Sequence, residues 1–159
     1  MTDVNLPIGV FDSGMGGLTV LAALRQQLPQ EDFVYLGDTA RLPYGTKSAA
    51  TVERYARQAA GALVARGIKA LVVACNTASA TALHALAQEF APLPVFGVVE
   101  PGALAACEVA DSSGVTVLAT ESTIAGGAYQ RALLHQRPAM RVLGRPCPLW
   151  VTLAEQGGD

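Results

Sequence analysis

Cys75 is the residue of this sequence that is best placed for chemistry. It follows the apolar run at residues 70–74 and stands directly before the polar residues Asn76 and Thr77. A lone cysteine after such a run is usually a small core residue. Here, however, it stands at the carboxyl end of a predicted strand and at the start of a predicted helix, a position that lowers the pKa of a thiol. We therefore predict that Cys75 acts as an acid/base or a nucleophile, with Asn76 and Thr77 as donors to a bound carboxylate or amine.

A second group of candidate residues follows the first predicted strand. Residues 11–17 read Phe-Asp-Ser-Gly-Met-Gly-Gly and lead into an amphipathic run. Glycines allow the backbone to approach a ligand closely, and the free N–H groups of a helix start attract an anion. The segment matches neither the P-loop nor the dinucleotide-binding fingerprint, so a carboxylate is a better-sized ligand than a phosphate. A tight turn in which Asp12 or Ser13 caps the helix is the structural alternative.

A third group lies in the loop after the second predicted strand. A proline fixes the backbone just before Tyr44 and Gly45, which would present the tyrosine and a backbone N–H to a ligand. The alternative is a connecting loop, in which Asp38 caps a turn and Tyr44 is a half-buried anchor. Arg41 could then pair with Asp38 and not with a substrate.

The remaining cysteines and histidines carry less weight. Cys107 stands in an alanine-rich run that predicts helix packing, and Cys147 lies between two prolines. Neither His84 nor His135 falls at a strand end, so no Cys–His dyad is evident. The chain has three cysteines, widely spaced and without a CxxC pair, which predicts neither a metal site nor a disulfide framework and favours a reducing compartment.

The elements that would position these residues alternate along the chain. Short apolar runs alternate with longer alanine- and leucine-rich segments, which is typical of βα units around a parallel sheet, an α/β fold. Strands are predicted at residues 8–11, 33–36, 70–74, 95–99, 115–119 and 140–143. Helices are predicted at residues 17–28, 48–66, 78–90, 102–111 and 124–134. Residues 91–94 are a candidate linker, and Pro101 follows at a second joint.

Composition limits the class of protein. The chain has 159 residues, of which 51% are hydrophobic and 15% charged, with a formal net charge of -2. This is enough for one ordinary domain, and no run approaches the roughly 18 apolar residues of a membrane span. Lysine and arginine are not clustered, which argues against a nucleic-acid surface. The N-terminus lacks the pattern of a signal peptide, so a cytoplasmic protein is expected.

Together, residues 11–17, 37–45 and 74–79 closely resemble the glutamate racemase family. The resemblance continues in the same order through residues 119–124, Tyr129 and residues 147–155. It implies a cofactor-independent isomerase that interconverts L- and D-glutamate and supplies D-glutamate for peptidoglycan. The substrate would lie between two similar α/β lobes, with one cysteine on each face of its α-carbon.

The resemblance also assigns roles to residues. Cys75 would be a proton donor and acceptor, and Asp12 and Glu155 auxiliary residues that tune the thiols. The substrate contacts would be Asp12, Ser13, Tyr44, Gly45, Asn76, Thr77, Thr120 and Thr123.

The sequence departs from the family pattern in one respect. The family's second cysteine lies in a Gly-Cys-Thr-His segment, which does not occur here, and Cys147 belongs to the Cys-Pro-Leu segment that precedes it. We therefore expect an N-terminal part of a glutamate racemase, with a first lobe at residues 1–97 and an incomplete second lobe at residues 98–159. Such a chain would be inactive alone and would expose apolar surface.

Three other functions remain open at this stage. The chain could belong to a racemase of a related amino acid such as aspartate, or to an amidase that uses Cys75 as a nucleophile. It could also be a non-catalytic protein that contacts DNA gyrase. A homodimer is a further expectation, whereas direct contact with nucleic acid or membrane is not.

Overall fold

The computed structural model describes residues 4–155. Strands β1 to β6 lie at Ile8–Asp12, Phe33–Gly37, Ala70–Val73, Val95–Gly97, Val115–Ala119 and Val142–Pro146. Helices α1 to α7 lie at Leu18–Gln27, Ala49–Val64, Asn76–Glu89, Val99–Val109, Glu121–Gly126, Ala128–Gln136 and Pro148–Glu155. A short 3₁₀ turn occupies Tyr44–Thr46.

The strands form two parallel sheets. The first has the order β2-β1-β3-β4, and Ile8 of β1 pairs with Phe33 on one side and with Ala70 on the other. The second sheet consists of β5 and β6, with Val115 paired to Val142. Helices separate the paired strands along the chain, as parallel pairing requires. The predicted α/β fold with parallel sheets is confirmed.

Helix α2 covers one face of the first sheet. Its side chains at Val52, Ala56, Ala60 and Leu63 recur every three or four residues and are all buried, so they form one apolar stripe. They pack with α3, whose alanines allow the two helices to approach closely. The side chain of Ser48 caps α2 by accepting a hydrogen bond from the backbone N–H of Thr51.

Helix α1 covers the opposite face of the first sheet. Its apolar residues Val20, Leu21 and Leu24 pack against Val10 and Ala74, which are buried. Strands β1 and β3 are therefore covered on both faces, as the strands of a parallel sheet usually are. Their carboxyl ends remain free to carry a site.

The second sheet alternates half-buried and exposed residues. Val115, Val117 and Ala119 of β5 are half-buried, whereas Leu118, between two of them, is exposed. Leu143 of β6 is exposed as well. One face of this sheet is thus bare among the described residues.

Several predicted boundaries differ from the structure, three of them in ways that change an element. The single helix predicted at residues 124–134 is two helices, because Gly127 has a φ of 64° and ends α5 in a left-handed conformation. The strand predicted at residues 140–143 lies later, at β6. Helix α4 begins at Val99, so Pro101 lies in the first turn of a helix, where its missing N–H costs little.

The joint between the first sheet and α4 is tied by one serine. The Ser79 hydroxyl donates to the carbonyl of Val73 at 2.7 Å and accepts from the backbone N–H of Val98 at 3.2 Å. The end of β3 is therefore linked directly to the start of α4. Residues 91–94 form the turn between α3 and β4. Among residues 4–155, no helix is both long and apolar enough to cross a membrane.

Candidate active site

A cavity of about 520 Å³ lies between the carboxyl ends of the first sheet and the elements around the second. The nine candidate residues whose side chains the structure describes all contribute to its wall. They are Asp12, Ser13, Tyr44, Gly45, Cys75, Asn76, Thr77, Thr120 and Thr123. Glu155 is the last residue of α7, and its side chain lies outside the described residues.

Cys75 stands at the N-cap position of α3. Its sulfur accepts a hydrogen bond from the backbone N–H of Ala78 at 3.4 Å, and its S–H donates to the Ser13 hydroxyl at 3.3 Å. The side chain is only 5% exposed. The thiol therefore bridges the loop after β1 and the start of α3, where the sequence predicts it.

The prediction of a lowered thiol pKa is wrong. Burial raises the pKa of Cys75, and the nearby Asp12 carboxylate raises it further, while the hydrogen bonds with Ser13 and Ala78 only partly oppose this. The helix start acts in the expected direction, but the loss of solvation outweighs it. This raised pKa keeps the Cys75 thiol protonated at neutral pH, so it must lose that proton before it can act as a base.

Asp12 is held in a fixed position beside the thiol. It is 6% exposed, and its carboxylate accepts a hydrogen bond from the backbone N–H of Gly14 at 2.8 Å. The chain passes so close behind it that a Cβ on Gly17 would overlap the Asp12 side chain. The glycine at position 17 thus makes room for the carboxylate rather than for a ligand.

The loop containing Tyr44 has features of both interpretations of its sequence, a ligand-binding loop and a connecting loop held by Asp38. The Tyr44 hydroxyl donates to the Asp38 carboxylate at 2.5 Å, and Arg41 pairs with the same carboxylate at 2.7 Å. Arg41 is therefore a partner of Asp38, as the structural alternative stated. Tyr44 is buried, not half-buried, and its ring packs near Phe11. It lines the cavity, but its hydroxyl is already engaged.

Three threonine hydroxyls form a cluster between the two sheets. The Oγ1 atom of Thr77 lies 3.1 Å from that of Thr120 and 3.2 Å from that of Thr123. The last two are 3.0 Å apart. Thr77 belongs to the first turn of α3, while Thr120 caps α5 and accepts from the backbone N–H of Thr123. The cluster brings donors and two helix starts to one point, an arrangement suited to a carboxylate.

No histidine, lysine or arginine lines the cavity in the part of the chain that the structure describes. A bound carboxylate would therefore be held by hydroxyls, an amide and backbone N–H groups. The absence of a histidine from this wall also removes the usual base for a cysteine nucleophile. Within residues 4–155, no group of three or more histidine, cysteine or acidic side chains is arranged to hold a metal ion.

Tyr129 and Cys147 are cavity residues that were not among the predicted site residues. Tyr129 of α6 lines the wall and donates its hydroxyl proton to the Asn76 side-chain oxygen at 2.5 Å. Its presence in the resembling segment was the only sequence signal. Cys147 also lines the cavity, although its S–H contacts only the carbonyl of Arg145, at 3.7 Å. His84 lies on the exposed side of α3 and is not part of the wall.

Comparison with known proteins gives consistent matches over almost the whole chain. The family model described as Asp/Glu/Hydantoin racemase matches residues 8–149. A glutamate racemase from Geobacter metallireducens is 57% identical over 150 residues, which cover 94% of this chain and 55% of that relative. The chain thus spans little more than half the length of the curated relatives it matches.

Solved structures of glutamate racemases also match almost the whole of this chain. The glutamate racemase of Francisella tularensis, in complex with D-glutamate, matches 96% of this chain and 57% of its own, with a TM-score of 0.89 and 42% identity. The Escherichia coli glutamate racemase, in complex with L-glutamate and the activator UDP-MurNAc-ala, matches 97% of this chain and 59% of its own, with a TM-score of 0.80 and 30% identity.

Proposed function

Because this chain belongs to the Asp/Glu/Hydantoin racemase family, we propose that its cavity binds glutamate and that Cys75 exchanges the α-proton of that amino acid. This is one half of a cofactor-independent interconversion of L- and D-glutamate. The observation that carries the proposal is the Cys75 thiol, buried in a wall whose other polar groups suit a carboxylate. That similar solved structures hold D-glutamate in one case and L-glutamate in another supports glutamate as the ligand.

The reaction requires three kinds of group around the α-carbon. The α-proton of an amino acid is weakly acidic, so its removal needs a positioned base and stabilisation of the charge that develops on the carboxylate. Cys75 would first give its own proton to solvent water, and the resulting thiolate would then take the α-proton onto Sγ. The hydroxyls of Thr77, Thr120 and Thr123 would donate to the substrate carboxylate, and the Asp12 carboxylate would face the ammonium group.

The reverse step uses the same thiol as an acid. A protonated Cys75 returns its proton to the same face of the α-carbon, which restores the original enantiomer. Inversion needs a proton from the opposite face, and this sequence has no Gly-Cys-Thr-His segment to supply it. We therefore expect this chain alone to exchange the α-proton of one enantiomer without racemising it.

The wider setting belongs to the same proposal. Residues 1–97 would form a first lobe and residues 98–159 part of a second, with the substrate between them. The product of the whole reaction would be D-glutamate for peptidoglycan, made in the cytoplasm. Glutamate is the partner that the site supports.

Incubation with L- or D-glutamate in deuterated water tests the proposal. We expect NMR to show loss of the α-proton signal from one enantiomer. With Cys75→Ser, we expect no loss of this signal from either enantiomer. Cys107→Ser is the matched control, since Cys107 is a half-buried residue of α4 that is not part of the cavity wall. Absence of exchange from both enantiomers would contradict the role of Cys75. Full racemisation would contradict the expectation that this chain exchanges the α-proton without inversion.

A further inference from the structure

We propose that Tyr129 is a positioning residue for Asn76, holding the side-chain amide so that its nitrogen is the atom offered to the ligand. The identity of that ligand as glutamate rests on the proposed function. The positioning itself rests on contacts that are independent of any ligand.

The hydrogen bond between the two side chains sets the orientation of the amide. The Tyr129 hydroxyl donates to Oδ1 of Asn76 at 2.5 Å. An amide has one accepting oxygen and one donating nitrogen, so engagement of the oxygen leaves Nδ2 for the cavity that Asn76 lines. A carboxylate ligand accepts hydrogen bonds and would be repelled by the oxygen. With its oxygen engaged by Tyr129, the amide offers the cavity the donating nitrogen that a carboxylate needs.

The tyrosine ring is itself held in place. It is half-buried between α6 and α4, and a Cβ on Gly102 would come within 3.3 Å of its ring and hydroxyl. Because glycine has no side chain, position 102 leaves the space that the Tyr129 ring occupies. Burial also raises the pKa of Tyr129, so the hydroxyl keeps its proton and remains a donor.

The position of Asn76 explains why its orientation matters. Asn76 is the first residue of α3 and immediately follows Cys75. Asn76 is exposed and lines the cavity, so an amide without the bond to Tyr129 could present either its oxygen or its nitrogen to a ligand. Tyr129 reaches it from α6, across the cavity, and so couples the second half of the chain to the residue beside the thiol.

A double-mutant cycle on the full chain tests this coupling. Tyr129→Phe keeps the ring and removes the hydroxyl, and we expect it to weaken glutamate binding by about 3- to 10-fold, the effect of losing one hydrogen bond. In an Asn76→Ala background the same change should have almost no effect, because the amide is already absent. Tyr55→Phe is the matched control, since Tyr55 lies outside the cavity wall. Equal losses in both backgrounds, or no loss in either, would overturn the proposal.

A ligand-free measurement separates this inference from the proposed function. The side-chain amide signals of Asn76 are identified in an ¹H–¹⁵N spectrum by their loss in Asn76→Ala. Tyr129→Phe should shift both signals and speed their exchange with water; unchanged signals would overturn the positioning role. If the unmodified chain binds neither enantiomer of glutamate, the proposed function fails while these spectra still decide the role of Tyr129.

Gly102→Ala provides a second way to displace the hydroxyl without removing it. The added methyl group would press on the Tyr129 ring, so the Asn76 signals should move in the same direction as in Tyr129→Phe. Circular dichroism of each variant establishes that the fold is retained. If the Asn76 signals are unaltered in a folded Gly102→Ala protein, packing against Gly102 does not hold the Tyr129 ring in place.

Discussion

Two opposing effects act on the Cys75 thiol. The helix start and the Ser13 hydroxyl stabilise the thiolate, whereas burial and the Asp12 carboxylate destabilise it. Burial is the largest of these effects, so the pKa of the thiol is raised overall. In the proposed reaction, a substrate ammonium group near Asp12 would offset part of the electrostatic penalty and allow the proton to leave.

The raised pKa of Cys75 predicts a specific titration. The ultraviolet signal of thiolate formation, taken as wild type minus Cys75→Ser, should have its midpoint above that of an ordinary thiol in the folded protein and at the ordinary value in urea. The raised pKa also makes the free energy of unfolding depend on pH. The stabilisation that Cys75 contributes is fully present below the pKa of the unfolded state and is lost as the pH rises through the pKa of the folded state. A folded-state midpoint below that of the unfolded chain would contradict this.

The position of Cys75 at a strand end and in the cavity wall could be predicted from the sequence, but its pKa could not. Apolar residues before it and polar residues after it locate the thiol at a strand end, which is local information. Its burial depends on packing with Phe11 and Tyr44, which come from distant parts of the chain. The start of α3 does lower the pKa of the thiol, but burial raises this pKa by more.

At the scale of elements, Ser79 connects the end of β3 to the start of α4. Its hydroxyl is buried and satisfies both the carbonyl of Val73 and the N–H of Val98. One side chain therefore fixes how α4, which carries Gly102 and part of the cavity wall, leaves the first sheet.

Ser79→Ala should destabilise the fold. The substitution leaves two backbone groups without their partner, which costs about 1–3 kcal/mol of unfolding free energy. Urea denaturation followed by circular dichroism measures the change. Ser112→Ala is the control, because Ser112 is exposed in the loop before β5 and should change stability by less than about 0.5 kcal/mol. Equal stability of the two variants would show that the joint does not depend on Ser79.

Most elements were predictable because their signals are local. Alternating apolar runs located the strands, and the period of α2 is visible in its own residues. Boundaries set by a single backbone conformation were missed, as at Gly127, whose positive φ divides one predicted helix into two. The sequence predicts a joint between two segments at Pro101, although a proline fits the first turn of a helix equally well.

At the scale of the whole molecule, the cavity depends on contacts between residues far apart in sequence. Parallel strands place their carboxyl ends at one edge, which is why residues 11–17 and 74–79 could be grouped in advance. The threonine cluster and the Tyr129–Asn76 bond join α3 to α5 and α6. No local pattern encodes how the second sheet packs against the first, so the predicted contacts of Thr120 and Thr123 came only from family resemblance.

In the part of the chain that the structure describes, the second sheet also leaves two leucines exposed on one face. Leu118 of β5 is 50% exposed and Leu143 of β6 is 44% exposed, and both lie on neighbouring parallel strands. Parallel strands are usually covered on both faces, because their side chains on each face are apolar. An exposed face of this kind favours the binding of apolar molecules from water.

We expect this face to bind a hydrophobic fluorescent dye such as ANS. Replacing Leu118 and Leu143 together by serine should reduce the dye fluorescence and leave the urea midpoint nearly unchanged, because side chains that are already half in water contribute little burial energy, at about 25 cal/mol per Å² of area removed from water. Val109→Ser is the matched control: Val109 is 86% exposed, but it lies at the end of α4, outside the sheet. Dye binding that persists in the double variant and falls in the control would place the exposed apolar surface on the helix and not on the sheet.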